Sequence, residues 1–109
     1  LRLIIAVVQD KDSVKLSDRL VKAGIRATKL ASTGGFLKSG NSTFMIGIEK
    51  ERVDEVLDLI RQSCRAREQL VNPMSPMGNQ IDSYVPFPVS VQVGGATVFV
   101  LDVEKYAHY

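Results

Sequence analysis

The sequence has no tryptophan, one cysteine and one histidine. With Cys64 alone, no disulfide can form within the chain. With His108 as its sole companion, a zinc site of the usual Cys/His kind is out of reach, and no metal site is expected. A free thiol suits a reducing compartment. Aromatic residues make up 6 % of the chain, too few for a platform that stacks successive bases. The net charge of +2 is too small to mark a groove for a nucleic-acid polymer or a patch for a membrane surface. No apolar run approaches the roughly 18 residues of a membrane helix. The opening LRLIIAVVQD is apolar, but short and followed by no small-residue cleavage site. A cytoplasmic protein without membrane insertion is therefore expected.

What is present describes one domain over residues 1–109. LIIAVVQ, residues 3–9, is a branched apolar run suited to a strand buried on both faces. In DKDSVKLSDRLVKAG, Leu16, Leu20 and Ala23 share a helical face; Asp12 or Ser13 can cap its start and Gly24 its end. IRATKLAST reads as a strand of mixed polarity. In STFMIGIE, Phe44, Ile46 and Ile48 fall on one face and Thr43, Met45 and Gly47 on the other. Val53, Val56, Leu57, Ile60 and Cys64 trace the stripe of an amphipathic helix, which makes Cys64 a buried thiol rather than a nucleophile. Residues 65–88 hold all four prolines and no legible period. A loop of that length is usually functional or disordered. VSVQV and ATVFVLDV then flank Gly94 and Gly95 and read as a β-hairpin. The order β-α-β-β-α-β, its last strand elaborated into a hairpin, predicts an α+β, ferredoxin-like sandwich. Its antiparallel sheet would carry both helices on one face and need cover on the other.

Catalytic motifs fail on inspection. GFLKSGNS, residues 35–42, has P-loop glycine spacing but asparagine where the phosphate lysine belongs, and a strand follows instead of a helix. A nucleophilic triad would have to use His108, and Asp54, Glu55 and Asp58 read as a solvated helix face. No catalytic residues, and no enzyme, are expected. A binding site fares better. Arg26 and Thr28 share one side of their strand, and Asn41, Met45 and Gly47 one side of the next. On a common face they would offer a phosphate fork, base-edge partners and a side-chain-free approach to the backbone. Phe36 and Leu37, in the glycine-rich loop STGGFLKSGN, have two readings that the residues alone leave level. They either cover a flat ring or pack on the protein itself.

RATKL, TGGFLKSGNSTFMIG, RVDEVL, REQLV, SPMG, DSYVPFPV and VGGATVFVL resemble the PII-like cyclic-di-AMP receptor family. The resemblance runs from IIAVVQDKDS to the end of the chain. It implies a homotrimer that binds cyclic di-AMP in clefts between subunits, with a short T-loop after the second strand and a long B-loop after the second helix. It implies a ligand set of Arg26, Ala27, Thr28, Gly35, Phe36, Leu37, Asn41 and Gly47. Arg26 would meet a phosphate, Thr28, Asn41 and the Gly47 backbone would read an adenine, and residues 35–37 would close over it. No cofactor beyond the ligand is implied. The output would be loop ordering read by an unidentified downstream protein. Asp102 and His108 stand where such proteins usually carry proline and glutamine, which leaves a contact from His108 open. The competing reading is an ATP- or metabolite-sensing PII-type adaptor, for which the loop's sole charge, Lys38, supplies few phosphate partners.

Overall fold

The computed structural model describes residues 1–31, 40–71 and 89–109. In chain order the elements are β1 (Arg2–Gln9), α1 (Asp10–Lys22), β2 (Thr28–Ala31), β3 (Asn41–Ile48) and α2 (Val53–Cys64). β4 (Arg67–Val71), β5 (Val89–Val93) and β6 (Ala96–Asp102) follow. A 3-10 turn, Lys50–Arg52, leads into α2. One sheet has the order β2-β3-β1-β6, with every neighbouring pair antiparallel. β1 and β2 are thus parallel with β3 between them, and β3 and β6 are parallel with β1 between them. This is the split βαβ arrangement of a ferredoxin-like fold, as expected.

Strand alternation separates the two sheet faces. Ile4, Ala6 and Val8 of β1 and Phe44, Ile46 and Ile48 of β3 are buried. They meet Leu16 and Leu20 of α1 and Val56, Ile60 and Cys64 of α2 in one core cluster. Full burial of each large side chain is worth about 1.5–3 kcal/mol. The other face carries Leu3, Ile5 and Val7, which are only half-buried, so β1 is fully covered on the helix side alone. Leu30, Met45, Phe99 and Leu101 on that face are 47, 36, 55 and 45 % exposed. Such a face leaves apolar surface open to solvent on the side away from the helices.

The ends of α1 show how its neighbours are placed. Its N-cap is Gln9, without a side-chain cap bond, so neither Asp12 nor Ser13 caps it. Ser13 Oγ donates to the Asp10 carbonyl at 2.8 Å, and Asp12 pairs with Arg67 of β4. The C-terminus ends as Gly24 predicts: φ is 72°, the Ile25 N–H reaches the Leu20 carbonyl and the Gly24 N–H that of Val21. These two bonds make a Schellman motif. On α2, Val53, Val56, Ile60 and Cys64 face the core as expected. Leu59 packs there as well, Leu57 is only half-buried, and Ser63 is buried and accepts from Arg19.

The expected hairpin of β5 and β6 does not form. β5 pairs with β4 in a separate two-stranded sheet, while β6 pairs with β1. Gly94 and Gly95 have positive φ of 80° and 99°, as a tight hairpin turn would want, yet they join two sheets. The Gly94 N–H donates to Gln9 Oε1 at 2.8 Å, and the Gly95 N–H to the Cys64 carbonyl. Those bonds hold the turn to β1 and α2 and send the strands apart. The valine alternation of β5 suits either partner. The same pairing places regular structure, β4, at the start of the span where no period is legible.

Candidate functional site

Arg26, Ala27 and Thr28 are presented by the end of α1. The Schellman turn reverses the chain at Gly24, and Ile25, 4 % exposed, anchors it in the core. The next three residues are then exposed. Thr28 lies opposite Met45, and Gly47 follows two residues along the same face of β3.

These residues line a groove of about 1040 Å³. Leu3, Met45 and Gly47 form its sheet floor, Arg26 and Thr28 a polar side, and Val103 and Tyr106 another edge. A Cβ placed on Gly47 would meet nothing within 4 Å, so the strand has room for a side chain that the sequence omits. The omission leaves bare backbone beneath open space, a platform for a flat ring. Arg26 supplies a cation with a planar fork of donors beside it, suited to phosphate.

Asn41 does not join this group. It shares the open face but pairs with Gln9, whereas Gly47 pairs with Leu3. At about 3.3 Å per residue the two lie about 20 Å apart, farther than one purine reaches. Asn41 instead lines a smaller cavity of about 370 Å³ with Gln9, Gly94, Gly95 and Thr97. The wall of this cavity is the joint between β5 and β6. Its polar lining is neutral: two amides, a hydroxyl and glycine backbone. Such groups suit the edge of a base rather than a phosphate. Asn41 is set here by the chain on both sides of it. The Asp10 N–H donates to the Gly40 carbonyl at 2.6 Å, and Ser42 Oγ donates to the Asp10 carboxylate.

The structure thus brings Arg26, Ala27, Thr28 and Gly47 together and holds Asn41 apart. Gly35, Phe36 and Leu37 lie outside the described residues. Gln9, Gly94 and Thr97 were missed from sequence. Strand parity puts Gln9 on the same face as Leu3, but only the β1–β3 and β1–β6 pairings bring it to Asn41 and Gly94. His108 is exposed, and Asp102 pairs with Arg2 at 2.9 Å. Cys64 is fully buried; burial pushes its thiol up to about 11, with the Asp12 carboxylate adding to the effect. It stays a neutral thiol near pH 7. Among the described residues no cluster of three His, Cys, Asp or Glu side chains is placed to hold a metal ion. No helix among them is long and apolar enough to cross a membrane.

Comparison with known proteins gives this geometry a family. The chain is similar to a functionally unknown protein from Pediococcus pentosaceus ATCC 25745, seen in a crystal structure. Identity is 49 %, with 99 % of this chain and 96 % of that one covered and a TM-score of 0.79. A family model described as cyclic-di-AMP receptor matches residues 1–109. The match takes in both the Arg26 groove and the Asn41 cavity, and this chain belongs to the cyclic-di-AMP receptor family.

Proposed function

We propose that the protein is a non-enzymatic receptor that binds cyclic di-AMP in clefts between neighbouring copies of itself. The observation that carries this reading is the separation along β3. A groove with a cation and a bare platform lies at one end of the open face, and a cavity with neutral base-edge partners at the other. No single adenine touches both within one chain. Two copies packed with the Gly47 end of one against the Asn41 end of the next would complete a site at every contact. The exposed Leu30, Met45, Phe99 and Leu101 would supply the apolar contact. Such an interface joins two different patches and forms a ring where the rotation between copies closes it; the family resemblance makes that ring a homotrimer.

In each cleft Arg26 would meet a phosphate of the doubly anionic ligand. Thr28 and the Gly47 backbone would receive one adenine, and Asn41 of the adjoining copy its edge. Phe36 and Leu37 would cover the ring. Cyclic di-AMP would act by changing the populations of the PII-like T-loop and B-loop, which a downstream protein in the cytoplasm would read. Calorimetry with cyclic di-AMP, cyclic di-GMP and ATP tests the reading, with light scattering for the oligomer. One cyclic di-AMP per chain and a trimer are expected. ATP binding more tightly than cyclic di-AMP would favour the PII-type adaptor instead.

A further inference from the structure

The glycine wall of the Asn41 cavity is held from behind. A Cβ on Gly94 would collide with Arg67 Nη1 and come within 2.7 Å of the Arg65 carbonyl oxygen. The glycine is therefore seated directly against a guanidinium. That guanidinium is itself clamped. Its Nη2 donates to Asp12 Oδ1 at 2.8 Å, and its Nη1 to Asp12 Oδ2 at 3.3 Å and to the Arg65 carbonyl at 3.1 Å. Asp12 is 1 % exposed, in the first turn of α1. A buried carboxylate persists when a cation and hydrogen bonds match it, and losing the cation is costly. The Asp12 hydrogen bond in turn raises the Arg67 pKa above its ordinary value. In front, the Gly94 N–H is tied to Gln9 Oε1, a residue of the cavity itself.

The chain of contact runs from α1 through Asp12 and Arg67 to Gly94, and from Gly94 to Gln9 beside Asn41. We propose that Arg67 is a positioning residue of the ligand site. It does not line the cavity, but it fixes the Gly94 and Gly95 wall that faces Asn41. This deepens the proposed function and rests on the cavity being one half of the cyclic di-AMP site. The competing role is that of an anchor for the β4–β5 sheet, with no effect on the ligand.

The double variant Asp12→Asn/Arg67→Gln removes both charges together and leaves no buried carboxylate unpaired. Residue-resolved amide exchange in the ligand-free protein and calorimetry with cyclic di-AMP are the measurements. Exchange at Gly94 and Gly95 should speed up about tenfold or more, with the β1 and β3 amides unchanged. Affinity should fall by about the same factor, the scale of one lost charge-assisted contact. Arg67→Lys keeps the charge without the two-point fork and should shift both readouts less, in the same direction; it serves also if the double variant does not fold. Arg19→Gln, which cuts the 3.2 Å tie from α1 to Ser63, should leave both unchanged. Protection of Gly94 and Gly95 equal to wild type would overturn the proposal. So would faster exchange with affinity intact, the mark of a mere anchor. Wild-type protein that ignores cyclic di-AMP would sink the functional reading instead, and the exchange of Gly94 and Gly95 would still decide whether Arg67 sets the wall.

Discussion

The two ends of β3 are built in different ways. The Gly47 end takes its polar groups from three consecutive residues delivered by a helix stop, over a floor of neighbouring strands. The Asn41 end is assembled from residues 9, 41 and 94–97, which meet only because β1 pairs with both β3 and β6. The chemistry differs likewise. One end offers a charge and a bare platform, the other neutral donors and acceptors. A cation on an exposed turn suffices for a phosphate, because a charge attracts over distance. Reading the edge of a base needs several groups fixed relative to one another, which demands tertiary structure.

This contrast is open to attack by substitution. The largest effect is expected from Gly47→Val. The strand has open space there, and a β-branched residue favours strand geometry, so the melting temperature should hold or rise. Cyclic di-AMP binding should nevertheless fall by roughly a hundredfold or more, because the side chain occupies the platform. Calorimetry and thermal melts on one sample check both halves of the statement. Next come Arg26→Ala and Asn41→Ala, compared directly. Arg26→Ala should weaken binding by roughly ten- to a hundredfold and flatten its salt dependence, since a charge-assisted contact is lost. Asn41→Ala should cost ~1–3 kcal/mol of adenine recognition with the salt dependence kept and selectivity over cyclic di-GMP reduced. Equal salt slopes in the two variants would erase the distinction between a charged end and a neutral one.

Smaller effects are expected elsewhere. Phe36→Ala should lower affinity by about 0.5–1.5 kcal/mol, the scale of a lost aromatic contact, without lowering the melting temperature. A large fall in stability with affinity intact would return Phe36 to a packing role. Least of all should binding respond to Cys64→Ala, although the pH profile of stability should. The buried thiol keeps its proton in the folded state up to about 11, against an ordinary value of 9.0. The folded state therefore holds more protons than the unfolded one in that window, and stability falls as pH rises from 9 towards 11. Melts across that range should show a decline that flattens in the variant.

How much of this was legible beforehand follows the same division. The Gly47 end could be read almost entirely, because its cues are local. Gly24 stops a helix and alternation puts Met45 and Gly47 on one face; Arg26, read as a strand residue sharing a parity with Thr28, precedes β2 and is placed by the turn after Gly24 instead. The core was legible for the same reason, through the periods of β3, α1 and α2; β1, a continuous apolar run read as buried on both faces, is buried on the helix face alone. The Asn41 end was not. Gly94 and Gly95 carry the signature of a hairpin turn, and nothing local says that their amides bond to Gln9 and Cys64. Arg67 sits in the short strand β4, at the start of the span that shows no legible period. Parity predicted a common face for Asn41 and Gly47 and was right, but parity carries no distance. Their separation emerged only from the β1–β3 register.

Mixing two disabled chains tests the shared site most directly. Arg26→Ala and Asn41→Ala protein, each weak in binding alone, are unfolded together, refolded and titrated with cyclic di-AMP. If each site takes Arg26 from one copy and Asn41 from the next, roughly a quarter of the interfaces regain wild-type affinity when copies assort at random. Should the mixture bind no better than its two components, each chain would hold its ligand alone, and the account of a site completed between copies would be wrong.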